Sequence, residues 1–513
     1  MSEETIKHSF IHIKSRRFHV TLLLMVGVCL FFFARTNLGL SMVCMINSTA
    51  VNLENFNINS NKTIEIPNKC IKVSFINNSY EEKTKNYGGT FDWNINVQSL
   101  ILSGNFYGAI LTIVPAGILA DRSSPKNLLL ISSAFFFVAS VLFPYLAYNY
   151  SYTPLIISRI IMGLGEGISS PAFNHILSNW IPKAESPVAI SIYTSGVQLA
   201  CFIGNPITAY FCESTFGWSG VFYLLSFCLI IWSLLWYITV QNKFHKAKWM
   251  HETERIYLEK YMTTHKNKGV SKKFSIPLKS MITSLPLIST LLCNFFAMMY
   301  NFFVTMYLPT YFKDTLYVSI MNNGLYSSLP FIAQGISKIG WGYFMTHLQR
   351  KNILTSTQSV KLTQILSGLG VSIGFYILPL LNDCTKPYLS VGCFIWISTF
   401  FGISASGFLV SHIILAPAII GFVSSIFNVT GILGAIFSPW LVSSLKNHND
   451  PNGWDVVLYV LGSLWLLSSI FFFLFGSGEP QSWGLKKELH QDDLLLNNKN
   501  NKNVSLILNE TNL

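Results

Sequence analysis

The chain has 513 residues, of which 51% are hydrophobic, 14% aromatic and only 11% charged, with a formal net charge of +12. A soluble domain carries about 25% charged residues, so an ordinary soluble enzyme is excluded and the main solvent is lipid. The excess of positive charge then becomes a question of membrane sidedness and does not call for a nucleic-acid partner.

A bilayer core needs about 20 apolar residues per helix. Twelve such stretches are predicted, at 19–42, 96–119, 127–149, 154–179, 187–211, 219–240, 284–311, 321–345, 362–381, 387–410, 415–444 and 454–476. Residues 19–33 have the apolar character of a signal core, but no small-residue cleavage pattern follows and eleven further spans do. The organisation is a tail at 1–18, a six-helix half at 19–240 containing a long loop at 43–95, a basic linker at 241–283, a second six-helix half at 284–476 and a polar, Asn-rich tail at 477–513 read as disordered. Within the linker, 249–262 reads as an amphipathic helix on the inner membrane surface. The fold class is therefore all-α integral membrane, with twelve transmembrane helices in two halves. That layout favours a transporter, with its site between the halves, over a channel or receptor.

With the N-terminus in the cytoplasm, roughly 24 of the 35 Lys and Arg residues fall on the cytoplasmic side, as the positive-inside rule expects. Both termini are then cytoplasmic. The 43–95 loop lies on the opposite face and carries glycosylation sequons at Asn47, Asn61 and Asn77. Cys70 sits in the same loop, and Cys44, Cys212 and Cys384 at other ends on that face are all possible partners; spacing does not choose among them.

Charges inside the spans carry the functional argument, because each costs about 2.5–3.5 kcal/mol at the bilayer centre. Arg35 lies in span 1, Arg159 and Glu166 in span 4. Seven residues is about 20° short of two turns and about 10 Å of rise. Arg159 and Glu166 thus share a face without pairing directly, and each must meet something else. A guanidinium fork suits a carboxylate, which gives Arg35, and secondarily Arg159, an anionic substrate. A carboxyl held away from water can alternate between neutral and ionised, which gives Glu166 a proton. The competing reading is a set of structural pairs that fix helix packing. Lys338 reads as a snorkelling lysine and His412 as an interfacial histidine, while His175 is out of phase with Glu166. Asp121 and Arg122, placed in a short loop between spans 2 and 3, could latch a gate. Small residues Gly163, Gly165 and Gly167 permit close packing or room for a ligand.

Several ordered motifs resemble one known family. Gly117 through Asp121-Arg122 to Lys126 is similar to the conserved loop of the major facilitator superfamily. Arg35-Thr-Asn37-Leu38, Ser103-Gly-Asn-Phe106-Tyr107-Gly108, Arg159 to Glu166-Gly and Gly478-Glu479-Pro-Gln481-Ser-Trp483 resemble the organic-anion branch that holds sialin, the vesicular glutamate transporters and the type I sodium–phosphate cotransporters. The resemblance implies a major facilitator fold and a carrier of small organic anions, coupled to protons or driven by membrane potential. It assigns Arg35 to the substrate carboxylate, Glu166 to proton coupling and Tyr107 to an aromatic site position. Departures are Asn174 where the family has His, Leu102 and Ala297 where glutamate-vesicle members have His and Arg, and His412-Ile413-Ile414 where the branch has an Asp. Leu102 and Ala297 turn the reading toward a sialin-like or phosphate-cotransporter-like member, and Asn174, which does not titrate near neutrality, leaves the family's proton pathway without its histidine.

The expected function is secondary active transport of carboxylates by alternating access. The expected cofactors are none beyond a coupling ion, H+ or Na+, and no metal site. The partners are a small organic anion and the bilayer, with a monomer expected and a lysosomal, vesicular or plasma membrane as the place. Rivals are sodium-coupled phosphate uptake and a transport-dead sensor. No nucleophile–base set or phosphate-cradling loop supports an enzyme.

Overall fold

The computed structural model describes residues 12, 15–47, 89–182, 185–242, 244, 250–263, 278–446 and 453–484. Asn61, Asn77 and Cys70 lie outside the described residues. The described chain is helical almost throughout. The first half comprises span 1 (Arg16–Met45), span 2 (Ile95–Arg122), span 3 (Pro125–Asn149), span 4 (Tyr152–Trp180), span 5 (Ser186–Thr194 continued by Gly196–Glu213) and span 6 (Ser219–Thr239). The second comprises span 7 (Leu285–Phe302 and Leu308–Leu316, joined by a π turn at Phe303–Tyr307), span 8 (Ile320–Arg350), span 9 (Ser356–Ile377), span 10 (Pro387–Ile403 and Phe408–Ile414), span 11 (Ile420–Leu445) and span 12 (Gly453–Phe475).

Among the described residues nine of these are both long and apolar enough to cross a bilayer by composition alone. Spans 2, 4 and 8 are the other three. All three are long enough, at 28, 29 and 31 residues, and spans 4 and 8 are diluted by polar and charged residues, among them Arg159, Glu166 and Lys338. A helix surrounded by other helices can carry that polarity. Below, the face that bears residues 43–95 is the loop side, and the face that bears residues 241–283 is the linker side.

Spans 2 and 4 approach most closely because glycines remove the side chains between them. A Cβ on Gly163 would stand 1.8 Å from the Asn105 carbonyl oxygen, and one on Gly108 would stand 2.0 Å from that of Ile160. Gly165 instead faces span 3, next to Phe135 and the Ser132 carbonyl. The small residues of span 4 are thus packing surfaces.

The linker helix (Glu252–Thr263) is seated on the start of span 1. Glu254 accepts from the backbone N–H groups of Arg16 at 2.9 Å and Arg17 at 3.1 Å, and from the Ser15 hydroxyl at 3.1 Å. A carboxylate distant in sequence therefore satisfies donors that the helix itself leaves open. Arg17 is fully buried and pairs with Glu254 at 2.9 Å and with Glu185, before span 5, at 2.5 Å. Its guanidinium lies 4.7 Å from the Tyr257 ring centre, and the Tyr257 hydroxyl donates to Glu185 at 3.0 Å. Burial first, and then Glu185 beside it, push the Tyr257 phenol above its ordinary range, so it stays a neutral donor.

Two expectations are corrected here. Asp121 and Arg122 fall in the last turn of span 2, and the connection shrinks to Ser123–Ser124; Pro125 and the Ser124 side-chain cap start span 3 at once. Their side chains lie outside the described residues. Residues 477–484, expected as part of a disordered tail, fold back on the second half: the Gln481 N–H donates to the Leu415 carbonyl at 2.9 Å, and the Ser411 hydroxyl donates to that of Ser477 at 2.6 Å. On the loop side, Cys44 is bonded to Cys212, with Cα atoms 6.2 Å apart, so these two take each other and not Cys70.

Candidate functional site

Span 1 places Arg35 about 15 Å from its loop-side end, at 1.5 Å per residue, well inside the bilayer. Its guanidinium meets Glu166 of span 4 at 2.5 Å. Both side chains stay partly exposed, at 17% and 26%, so the pair borders open space and is not sealed in the packing. Arg35 also lies over two rings, 4.2 Å from the centre of Phe32 and 5.4 Å from that of Phe106. Its Nε has no hydrogen-bond partner. Asn105 of span 2 donates to the second oxygen of Glu166, which leaves the Asn105 Oδ1 unpartnered. Tyr107 is half-buried on the same span, and its hydroxyl accepts from Ser103 at 3.2 Å.

Arg159 takes a different position. It is fully buried, and its fork donates to the backbone carbonyls of Ala34 at 3.3 Å and Arg35 at 2.9 Å. As the seven-residue spacing requires, it does not pair with Glu166. Arg159 and Glu166 instead grip the same stretch of span 1, one through the backbone and one through the Arg35 side chain. Two charges from one helix thus fix the height and rotation of Arg35.

The second half contributes aromatic cover. Phe106 packs 5.5 Å from the Phe302 ring of span 7, and Tyr307, at the end of the π turn, shares a 2.9 Å hydrogen bond with Ser99 of span 2. Gly39 of span 1 sits against the backbone of Thr305 and Met306, where an added Cβ would come within 2.9 Å. The halves also meet where Asn205 of span 5 donates to the Ser327 carbonyl at 3.2 Å and Lys313 donates to the Val43 carbonyl at 3.1 Å. These cross-half bonds all lie in the loop-side half of their spans, so the halves are held together on that side of Arg35.

Other candidates lie elsewhere. Asn174 accepts from the Tyr193 hydroxyl at 2.8 Å, and His175 meets Asn179 at 3.1 Å; neither is bonded to Glu166. His412 stacks on Phe427 at 4.1 Å and contacts the Ser424 hydroxyl at 2.9 Å. Asn47 lies just beyond span 1, with its N–H bonded to the Phe91 carbonyl at 2.9 Å. No group of three His, Cys, Asp or Glu side chains with metal-holding geometry occurs among the described residues. Asn105, Phe32 and Phe106 are site residues that charge-based sequence reasoning missed. An amide in a membrane helix was the available signal for Asn105.

A family model described as Major Facilitator Superfamily matches residues 24–419. The chain belongs to that superfamily. Within it, the relatives are those of the organic-anion branch. An uncharacterized transporter of Caenorhabditis elegans, slc-17.3, is 32% identical over 96% of this chain and 93% of that protein. Human sialin is 29% identical over 92% of this chain and 91% of its own length. A vesicular glutamate transporter of Danio rerio is 27% identical over 93% and 76%. The solved structure of a D-xylose–proton symporter aligns with a TM-score of 0.63 at 17% identity, covering 91% of this chain and all of that one (100%), which establishes the fold. This superfamily member is a multi-pass secondary transporter and not an enzyme.

Proposed function

We propose that the protein carries small organic anions with a carboxylate group, coupled to protons, by alternating access. The observation that carries this reading is the partly exposed contact between Arg35 and Glu166. The internal carboxylate occupies the place a substrate carboxylate would take on the guanidinium fork. A proton on Glu166 removes that competitor's charge and frees Arg35, while Asn105 holds the side chain in place. Anion and proton then enter as a pair. Without the proton, the incoming anion has to displace a bonded carboxylate and leave it uncompensated. Arg159 acts by positioning Arg35, and Tyr107 and Phe106 line the approach. The names of the relatives, sialin and the glutamate transporter, agree with an anionic cargo. The sequence's charge asymmetry supports cytoplasmic termini, in a lysosomal, vesicular or plasma membrane.

The test is uptake into proteoliposomes with proton, sodium and voltage gradients imposed separately, using sialic acid, glutamate, aspartate, urate and phosphate. Arg35→Ala is expected to lower carboxylate uptake by roughly 30-fold or more, the equivalent of about 2 kcal/mol of charge-assisted hydrogen bonding. Glu166→Gln is expected to leave exchange intact and abolish its response to a pH gradient. Carboxylate uptake unaltered in Arg35→Ala rejects the assignment. A relative named sodium-dependent phosphate transport protein 1, from Oryctolagus cuniculus and 28% identical, motivates a second reading. Replacing sodium by choline at fixed pH and voltage separates the two.

A further inference from the structure

A groove of about 270 Å³ opens between the linker-side ends of spans 1 and 6. Its wall is almost wholly apolar, formed by Val20, Leu22, Leu23 and Val26 of span 1, with Thr239 opposite and Arg16 and His19 at the linker-side end; His19 Nδ1 is bonded to the Ser15 carbonyl at 2.7 Å, which leaves Nε2 for a ligand. The order along the helix is basic for the first turn and apolar for the next two, over about 15 Å. The Arg16 fork bridges the mouth, donating to the Thr239 carbonyl at 3.1 Å. Neighbouring Arg17 points the other way and is taken by Glu185 and Glu254. Arg17 thus faces the linker helix and Arg16 the groove, and both guanidinium groups are engaged by the fold. His19 and Val26 are exposed, which sets the groove on the outer perimeter of the bundle and not in the central site.

We infer that this groove binds an anionic phospholipid of the linker-side leaflet. Its phosphate would lie at Arg16 and His19 and one acyl chain along Leu22, Leu23 and Val26. The charge supports that occupant. An arginine at the end of a span attracts anionic headgroups by roughly fivefold, and the linker side is the basic face of this chain. The apolar track supplies the second requirement, since each buried methylene of a chain adds to binding. A choline headgroup offers the same phosphate and tails but brings its own cation to Arg16, so it should bind less well.

The test is native mass spectrometry of the full-length protein in detergent, with dioleoyl phosphatidylserine and dioleoyl phosphatidylcholine at equal concentration. The expected result is at least about a fivefold excess of phosphatidylserine adducts, falling to parity in R16Q/H19Q. V26W, which fills the apolar track and leaves both basic residues, is expected to remove the adducts of either lipid. Melting in lipid-free detergent checks that each variant is folded. Equal retention of the two lipids by the unaltered protein overturns the inference. So does an unchanged excess in folded R16Q/H19Q. If R16Q/H19Q does not fold, V26W decides: undiminished phosphatidylserine adducts overturn it and lost adducts support it.

Discussion

At the scale of single residues, the close approach of spans 2 and 4 ties packing to chemistry. Asn105 provides both the carbonyl that Gly163 abuts and the amide that holds Glu166. Gly163→Ala must push that segment away, because its Cβ would meet backbone and not a flexible side-chain end. The expected outcome is a loss of about 1–3 kcal/mol of stability, the usual cost of overpacking, together with weakened pH coupling. Melting in detergent and gradient-driven uptake measure the two. The charges of this site were legible because charge within an apolar span is costly and rarely kept without a use. Their partners were not. Arg35 and Glu166 are 131 positions apart, and nothing in spacing along one helix reports which face another helix will present. The periodicity argument did correctly keep Arg159 and Glu166 from pairing.

At the scale of elements, the linker helix is a clip on span 1. Arg17 and Glu254 are both almost completely buried, and removing one partner of a buried pair costs about 3–5 kcal/mol. Glu254→Ala is therefore expected to release the linker helix. The measurement is limited trypsin digestion of the folded protein, with cleavage after linker lysines accelerated at least tenfold and uptake assayed in parallel. An undisturbed cleavage pattern would show that the helix is held by other contacts. The amphipathic pattern of 249–262 announced a helix, and the structure has one at Glu252–Thr263. It did not announce the docking, because a carboxylate bound to the start of a distant helix leaves no periodic trace. Residues 477–484 escaped the reading for a similar reason: they are polar and short, and they are held by one backbone bond to the span 10–11 connection and by the Ser411 hydroxyl.

At the scale of the whole molecule, most of the twelve spans, and with them the two halves, were legible from apolar length, because lipid demands internally satisfied backbone. The relation between the halves was not. It rests mainly on contacts between neutral residues, such as Asn205 with Ser327 and Ser99 with Tyr307, with Lys313 adding a bond to the Val43 carbonyl. Gly324 of span 8 lies in that seam, where an added Cβ would stand 2.5 Å from that of Ala209 and 2.9 Å from the Asn205 carbonyl. Gly324→Phe is expected to wedge the loop side open. Uptake should fall at least tenfold, and a cysteine introduced on the linker-facing half of span 8 should react more slowly with an impermeant thiol reagent. Faster labelling would mean that the seam is not the closed side.

The bond between Cys44 and Cys212 bears on how the protein is made. It joins the loop-side ends of spans 1 and 5, the helices that carry Gly39 and Asn205 into the seam with the second half. Such bonds form in oxidising compartments and are rare where thiols are kept reduced. Spans 1 and 5 already pack closely, Gly196 against the Met25 carbonyl and Gly204 against the Phe33 ring, and the covalent bond adds a tie at the rim where that packing ends. Oxidation is thus expected to act mechanically, joining the loop-side ends of spans 1 and 5 so that they move together when the carrier turns over.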